Sequence, residues 1–170
     1  FRSKGDAYKK YDAAKIFEEG KSKIEEKNKA YLAKAEEEKA KKLAEFAANQ
    51  EKLVNDMKVG MQSTASGLFY KITKTTAGVN PTPGQTVAVH YAGKLINGEE
   101  FDNSFKRNAP IDIPIGVGQV IKGWDEGILL LKEGETATLL IPPALGYGER
   151  GAGGVIPPNS WLVFDVELVK

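Results

Sequence analysis

Cysteine is missing from all 170 residues, which removes disulfides, iron–sulfur ligation and thiol catalysis together. That absence leaves the redox compartment open, because a thiol-free chain tolerates reducing and oxidising surroundings alike. Histidine is nearly missing as well. The single His90 is too few for a zinc site, and any Ser-His-Asp triad would have to be built on it. A net charge of +1 supplies no global field to attract nucleic acid or an anionic membrane. No apolar run approaches the roughly 18 residues that a bilayer-spanning helix needs, and no secretory signal opens the chain. The first residue is Phe1 rather than Met, so the N-terminus reads as a cut end.

Glycine and proline are scarce in one part of the chain only. All eight prolines and fifteen of the eighteen glycines follow residue 60, and none of either lies between Lys21 and Val59. Ala, Lys and Glu dominate that stretch, so helix propensity accumulates over many turns. The pattern predicts a helix from near Asp6 or Asp12 to about Lys58, with a break near Gly20, where Ser22 and Glu25 have capping-box spacing. Glu19–Lys23, Glu25–Lys29 and Glu38–Lys42 stand at i,i+4 in the favourable order, each contributing about 0.3 kcal/mol. Phe17, Ile24 and Tyr31 repeat every seven residues, and Leu43, Phe46, Leu53 and Met57 follow a heptad rhythm with Gln50 in one core slot. Glu36 and Lys39 interrupt the seam, which is short of the clean heptads of a coiled coil. Two readings follow: a solvated linker helix whose ends pack on neighbouring domains, or a dimerising or client-contacting arm. Its mixed charges, without interleaved aromatics, are a solvated face rather than a nucleic-acid patch.

The division expected is a charged helical extension over residues 1–60 and an α+β domain over residues 61–170. In the second, strands are expected at Gly67–Thr75, Thr86–Ile96, Ile111–Ile115, Thr136–Ile141 and Leu162–Val169. Val87, Val89 and Tyr91 share one face of their strand and His90 lies on the other. Asn97-Gly98 is a hairpin signal. Trp124–Lys132 suits a short helix, with Asp125 and Glu126 at the favourable end of its dipole. The fold expected is a half-wrapped antiparallel sheet over that helix. Gly148–Gly154 lacks the Gly-Lys-Ser/Thr of a phosphate cradle, and Gly116-Val117-Gly118 lacks the third glycine of a dinucleotide fingerprint.

An ordered set of segments runs through this region: Val89-His90-Tyr91, Glu100-Phe101-Asp102-Asn103-Ser104, Val120-Ile121-Lys122-Gly123-Trp124, Ala144-Leu145-Gly146-Tyr147-Gly148, Val155-Ile156-Pro157-Pro158 and Leu162 to Leu168. Over about residues 66–170 the chain strongly resembles the FKBP-type peptidyl-prolyl cis-trans isomerases. The resemblance implies a proline-binding pocket between sheet and helix. Trp124 would be its floor; Tyr91, Phe101, Val120, Ile121 and Phe164 its walls; Asp102 and Tyr147 its polar rim. The backbone N–H of Ile156 would hold a substrate carbonyl. Two roles are open for Asp102, orienting Tyr147 or polarising the rotating carbonyl. Ile111 and Ile113 stand where family members often carry aromatics, which implies a wider pocket on that side. The loop after Gly148 leaves no room for the chaperone domain that some bacterial relatives insert there.

The activity implied is rotation about Xaa-Pro bonds, a reaction that needs no nucleophile, metal or cofactor. The partners implied are proline-containing polypeptides, with macrolides of the FK506 and rapamycin type as ligands. The rival reading is a proline-recognising chaperone or docking module with little catalysis, and a third is a scaffold acting through the helix alone. For the helix, two family contexts suggest themselves. In bacterial tandem proteins a cyclophilin domain precedes a charged helix and an FKBP-type domain; proteins resembling the macrophage infectivity potentiator dimerise through long helices. The tandem case is the one expected, with a cytoplasmic location; the potentiator-like case would make the protein an exported one.

Overall fold

The computed structural model describes residues 12–169. The Phe1–Tyr11 lead-in and the alternative helix start at Asp6 lie outside the described residues. Asp12 is the helix cap: its carboxylate accepts from the Lys15 N–H at 3.2 Å. Helix α1 then runs over Ala13–Met57 without a break at Gly20. One glycine costs a helix interior about 1 kcal/mol, which the surrounding Ala, Lys and Glu outweigh. Of the expected i,i+4 pairs, Glu38 and Lys42 meet at 3.3 Å.

The chain divides into two compact units, one ending at Ala47 and one beginning at Ala48. In the first, the side chains of Ile16, Phe17, Ile24, Tyr31 and Leu32 are exposed. The second holds the last turns of α1 and everything after.

That unit is built on seven antiparallel strands: β1 (Gln62–Ser63), β2 (Phe69–Lys74), β3 (Thr86–Leu95), β4 (Glu100–Asn103), β5 (Ile111–Pro114), β6 (Thr136–Ile141) and β7 (Leu162–Leu168). The order across the sheet is β1-β2-β6-β7-β3-β4, with β5 also beside β3. Strand β5 stops at Pro114 rather than reaching Ile115, because the chain turns through Gly116 at φ 76°. The long strands are where alternation is strictest. On β7, Leu162, Phe164, Val166 and Leu168 enter one core with Val87, Val89, Leu139 and Ile141. Leu140 and Val163 face the other side, where they meet Val54 of α1. The antiparallel sheet is thus apolar on both faces at its centre, one face closed by the end of α1.

The other face carries helix α3, which spans Lys122–Leu129. (The four-residue helix α2 spans Ser104–Arg107.) It starts two residues before Trp124 and ends three before Lys132, where Leu130 and Leu131 close the last turn. Two glycines let it lie close on the sheet. A Cβ at Gly123 would stand 2.6 Å from Ile141, and one at Gly127 2.8 Å from Leu139. Their spacing of four puts both on the same side of the helix. Asp125 does more than complement the dipole: its carboxylate accepts from the N–H groups of Gly116 and Gly118, both at 2.7 Å, tying down the loop that enters the helix.

The Asn97-Gly98 signal does mark the β3–β4 hairpin, but not as a two-residue loop. Gly98 alone is left-handed, at φ 91°, and its N–H closes a turn onto Leu95 O at 2.8 Å. This is a turn followed by a glycine bulge.

Candidate active site

One edge of β3 serves two strands. Residues Thr86–Val89 pair with β5, and Ala92–Lys94 pair with β4. Between them the ladder is open at Tyr91, and a side chain closes it. The Ser104 hydroxyl accepts from the Tyr91 N–H at 2.7 Å and donates to the Tyr91 carbonyl at 3.2 Å, fully buried. Ser104 is the first residue of α2, and Asn103 caps that helix through its side chain. The split edge sets Phe101 and Asp102 of β4 around the same space as Trp124 of α3.

A cavity of about 680 Å³ opens there. Tyr91, Phe101, Asp102, Ile111, Val120, Ile121, Trp124, Tyr147, Ile156 and Phe164 all line it. Ile113 does not; it packs against the core. Val155, which opens the Val155-Ile156-Pro157-Pro158 segment, lines it too, as do Gln119, Ala152 and Gly153, which the sequence does not single out. Gln119 carries a signal in adjoining Val120, whereas Ala152 and Gly153 depend on how their loop folds.

Trp124, 4% exposed, stands at the centre of an aromatic basin. Tyr91 meets it edge-on at 5.0 Å between centroids, and Phe164 at 5.2 Å. Phe101 in turn meets Phe164 at 5.6 Å, again edge-on. Such contacts favour edge-to-face geometry because ring edges are electropositive and faces electronegative. Gly93 permits them, since a Cβ there would lie 2.7 Å from both Phe101 and Phe164. The indole N–H of Trp124 is buried and has no hydrogen-bond partner among the described residues.

The polar side of the cavity is a triad that the sequence showed only in part. The Tyr91 hydroxyl donates to Asp102 Oδ2, and Arg107 donates to Asp102 Oδ1. Arg107 also donates to the Tyr91 hydroxyl at 3.3 Å. Burial works against the Asp102 charge, but hydrogen bonds from Tyr91, Arg107 and the Asn103 N–H outweigh it. Its carboxyl is held below the ordinary value of 3.8. Burial and then the bond to Asp102 push the Tyr91 hydroxyl above 10.0. Burial, followed by the Asp102 charge, raises Tyr147 likewise. Of the two roles left open for Asp102, orienting Tyr147 is not what the bonds show: the carboxylate is spent on Tyr91, Arg107 and its neighbour's N–H.

The expected role of the Ile156 N–H needs correction. That N–H donates to the Ala152 carbonyl at 3.0 Å, closing a tight loop with the return bond from Ala152 N–H to Ile156 O. The loop needs Gly151, at φ 62°, where a Cβ would fall 2.1 Å from the Ile156 oxygen. The Ile156 side chain lines the cavity, but its N–H is committed. A different N–H is unpaired among the described residues: that of Ile121, the residue preceding α3.

His90 lies on the opposite side of β3, its Nδ1 3.0 Å from the Ser104 hydroxyl and its ring stacked on Phe105 at 4.8 Å. Among the described residues no group of His, Cys, Asp and Glu is arranged to hold a metal ion.

A sheet wrapped on one short helix, with an aromatic basin between them, defines an α+β domain with an apolar, aromatic-lined pocket. The chain belongs to the FKBP-type peptidyl-prolyl cis-trans isomerase family, whose sequence pattern matches residues 78–169. It is 55% identical over 103 residues to FK506-binding protein 1 of Dictyostelium discoideum, covering 61% of this chain and 96% of that one. A protein of Neisseria meningitidis serogroup B, described as a probable FKBP-type peptidyl-prolyl cis-trans isomerase FkpA, is 48% identical over 157 residues. That match takes in 92% of this chain and 53% of the relative, so the chain spans about half the relative's length. The crystal structure of FkpA from Escherichia coli is similar at a TM-score of 0.69 and 37% identity, covering 86% of this chain and 70% of that one.

Proposed function

We propose that the cavity binds the proline ring of an Xaa-Pro segment against Trp124 and lowers the barrier to rotation about the preceding bond. The supporting observation is the edge-on enclosure of Trp124 by Tyr91 and Phe164 in a cavity lined mostly by apolar side chains. A planar peptide bond is held by resonance that places negative charge on oxygen and positive charge on nitrogen, with a barrier of about 18–20 kcal/mol. The twisted transition state loses that charge separation, so a dry apolar surround favours it over the planar ground state. Phe101, Phe164 and Trp124 supply the surround, with Val120 and Ile111 at the sides. The Ile121 N–H, free at the start of α3, holds one substrate carbonyl, and the Tyr147 hydroxyl at the rim meets the other. Asp102 and Arg107 act through Tyr91, fixing its ring against Trp124. A barrier lowered by about 5 kcal/mol corresponds to an acceleration of several thousand-fold.

The direct test is exchange between cis and trans forms of a short Xaa-Pro peptide, followed by NMR with the wild type beside Asp102→Ala. Acceleration that falls in the variant supports the reading. Binding without acceleration would make the cavity a docking site instead. Macrolides of the FK506 and rapamycin type fit the same basin, and calorimetry with millimolar protein that detects no heat of binding would remove that part.

We also read the exposed seam of α1 as a surface for a second copy of the chain. Phe17 and Tyr31, 70% and 75% exposed, repeat with Ile24 at heptad spacing. A Phe17→Glu, Ile24→Glu variant that sediments like the wild type would end this reading. The meningococcal FkpA matches through the helix as well as through the isomerase domain. Cytoplasmic and exported locations are told apart by fractionating cells. Among the described residues no helix is long and apolar enough to cross a membrane.

A further inference from the structure

We propose that Gln50, near the end of α1, is a positioning residue for the cavity: its side-chain amide pins the base of the 148–161 segment that forms one cavity wall. Gln50 is 5% exposed. Its Nε2 donates to the Asn159 carbonyl at 3.0 Å, and its Oε1 accepts from the Trp161 N–H at 2.8 Å. The amide thereby brackets Ser160 as a neighbouring strand's peptide group would. Both bonds go to backbone, so they do not depend on which side chains occupy positions 159 and 161.

The bracket reaches the cavity through one more bond. Asn159 is held left-handed, at φ 56°, and its N–H donates to the Gly148 carbonyl at 2.8 Å, one residue from Tyr147. The two feet of the segment are thus joined at Asn159, and Gln50 holds Asn159 from behind. Ser160 adds a bond from its hydroxyl to the Pro157 carbonyl at 2.7 Å. Above this base, Ala152, Val155 and Ile156 face the cavity. An amide buried next to an apolar cluster is unfavourable unless bonded on both sides, so space filling alone would call for an apolar residue. Val54, one turn further along α1, shows that choice.

The inference rests on reading the cavity as the isomerase site. It is tested in the full chain with Gln50→Met, which keeps the length and removes both bonds, and Gln50→Glu, which sets a carboxylate against the Asn159 carbonyl. Amide hydrogen exchange by NMR should show lost protection at Ile156 and Asn159 in both variants, and at Trp161 in the Met variant, whereas the carboxylate of the Glu variant still accepts from the Trp161 N–H; β3 and β7 should be unchanged. KM for an Xaa-Pro peptide should rise about fivefold, with kcat within about twofold. A Met variant matching the wild type in exchange and KM would show that Gln50 only fills space. Protection lost uniformly across β3 and β7 would show a global stability role and equally overturn the proposal. Were the wild type inactive on the peptide, the site reading would fall by itself while the exchange pattern still decided the bracket.

Discussion

Arg107 donates to Asp102 from the far end of α2, five residues on in sequence, and the pair encloses the Tyr91 hydroxyl. The arrangement exists because Asn103 caps α2 and the chain doubles back within one turn. It makes a tyrosine ring, rather than a charge, the surface presented to Trp124.

Replacing Arg107 by Met should therefore act on the site through its neighbours. Arg107 helps to hold the Asp102 carboxyl low, so its loss should move that group back toward 3.8. The acid limb of the rate profile should shift to higher pH, and kcat/KM at pH 7 should fall about threefold to tenfold for a lost charged hydrogen bond. A titration of rate against pH for both proteins checks the shift and the loss together.

In the wild type the rate should be flat between pH 6 and 9. Asp102 stays ionised because its carboxyl lies below the ordinary range, and Tyr91 and Tyr147 stay protonated because both lie above theirs. The sign for stability follows. The Asp102 contribution is present above pH 3.8 and is lost as pH falls through its lowered folded value; the tyrosine contributions are present below pH 10.0 and lost as pH rises through their raised ones. A bell-shaped rate profile centred within pH 6–9 would contradict the mechanism.

Gly127→Ala should destabilise without touching the cavity lining. The new methyl would stand 2.8 Å from Leu139, which is fully buried. Overpacking of this kind costs about 1–3 kcal/mol, measurable by urea unfolding. A variant as stable as the wild type would mean that α3 lifts from the sheet freely.

Trp124→Ala should lose peptide binding and stability together. Truncating a buried tryptophan costs about 3–5 kcal/mol. The milder Trp124→Phe keeps an aromatic floor, so calorimetry on that variant should show weakened rather than absent binding if the ring is the seat of the proline.

Local pattern makes part of the site legible: alternation on β3 and β7 puts Tyr91 and Phe164 on inward strand faces, and the apolar run after Trp124 marks α3. That these residues meet in one cavity is what the family resemblance implies, not what alternation shows. What was hidden depends on contacts distant in sequence. Gln50 read as a coiled-coil slot, yet its partners lie at 159 and 161. The resemblance implies a free Ile156 N–H, and only the folded loop shows it bound to Ala152. Arg107 carries no signal, because a lone arginine behind a hairpin has no periodicity to betray its partner. The helix carboxylate Asp125 reads only as a complement to the dipole, since nothing local reveals that Gly116 and Gly118 turn back toward it.

The two tryptophans stand on opposite faces of one sheet, Trp124 in the cavity core and Trp161 beside Val54 of α1. The molecule consequently carries two optical reporters that need no label. With Trp161 replaced by Phe, emission follows what enters the basin; with Trp124 replaced by Phe, it follows whether the end of the helix stays seated. Watching both during denaturation would tell whether the helix leaves before the pocket opens.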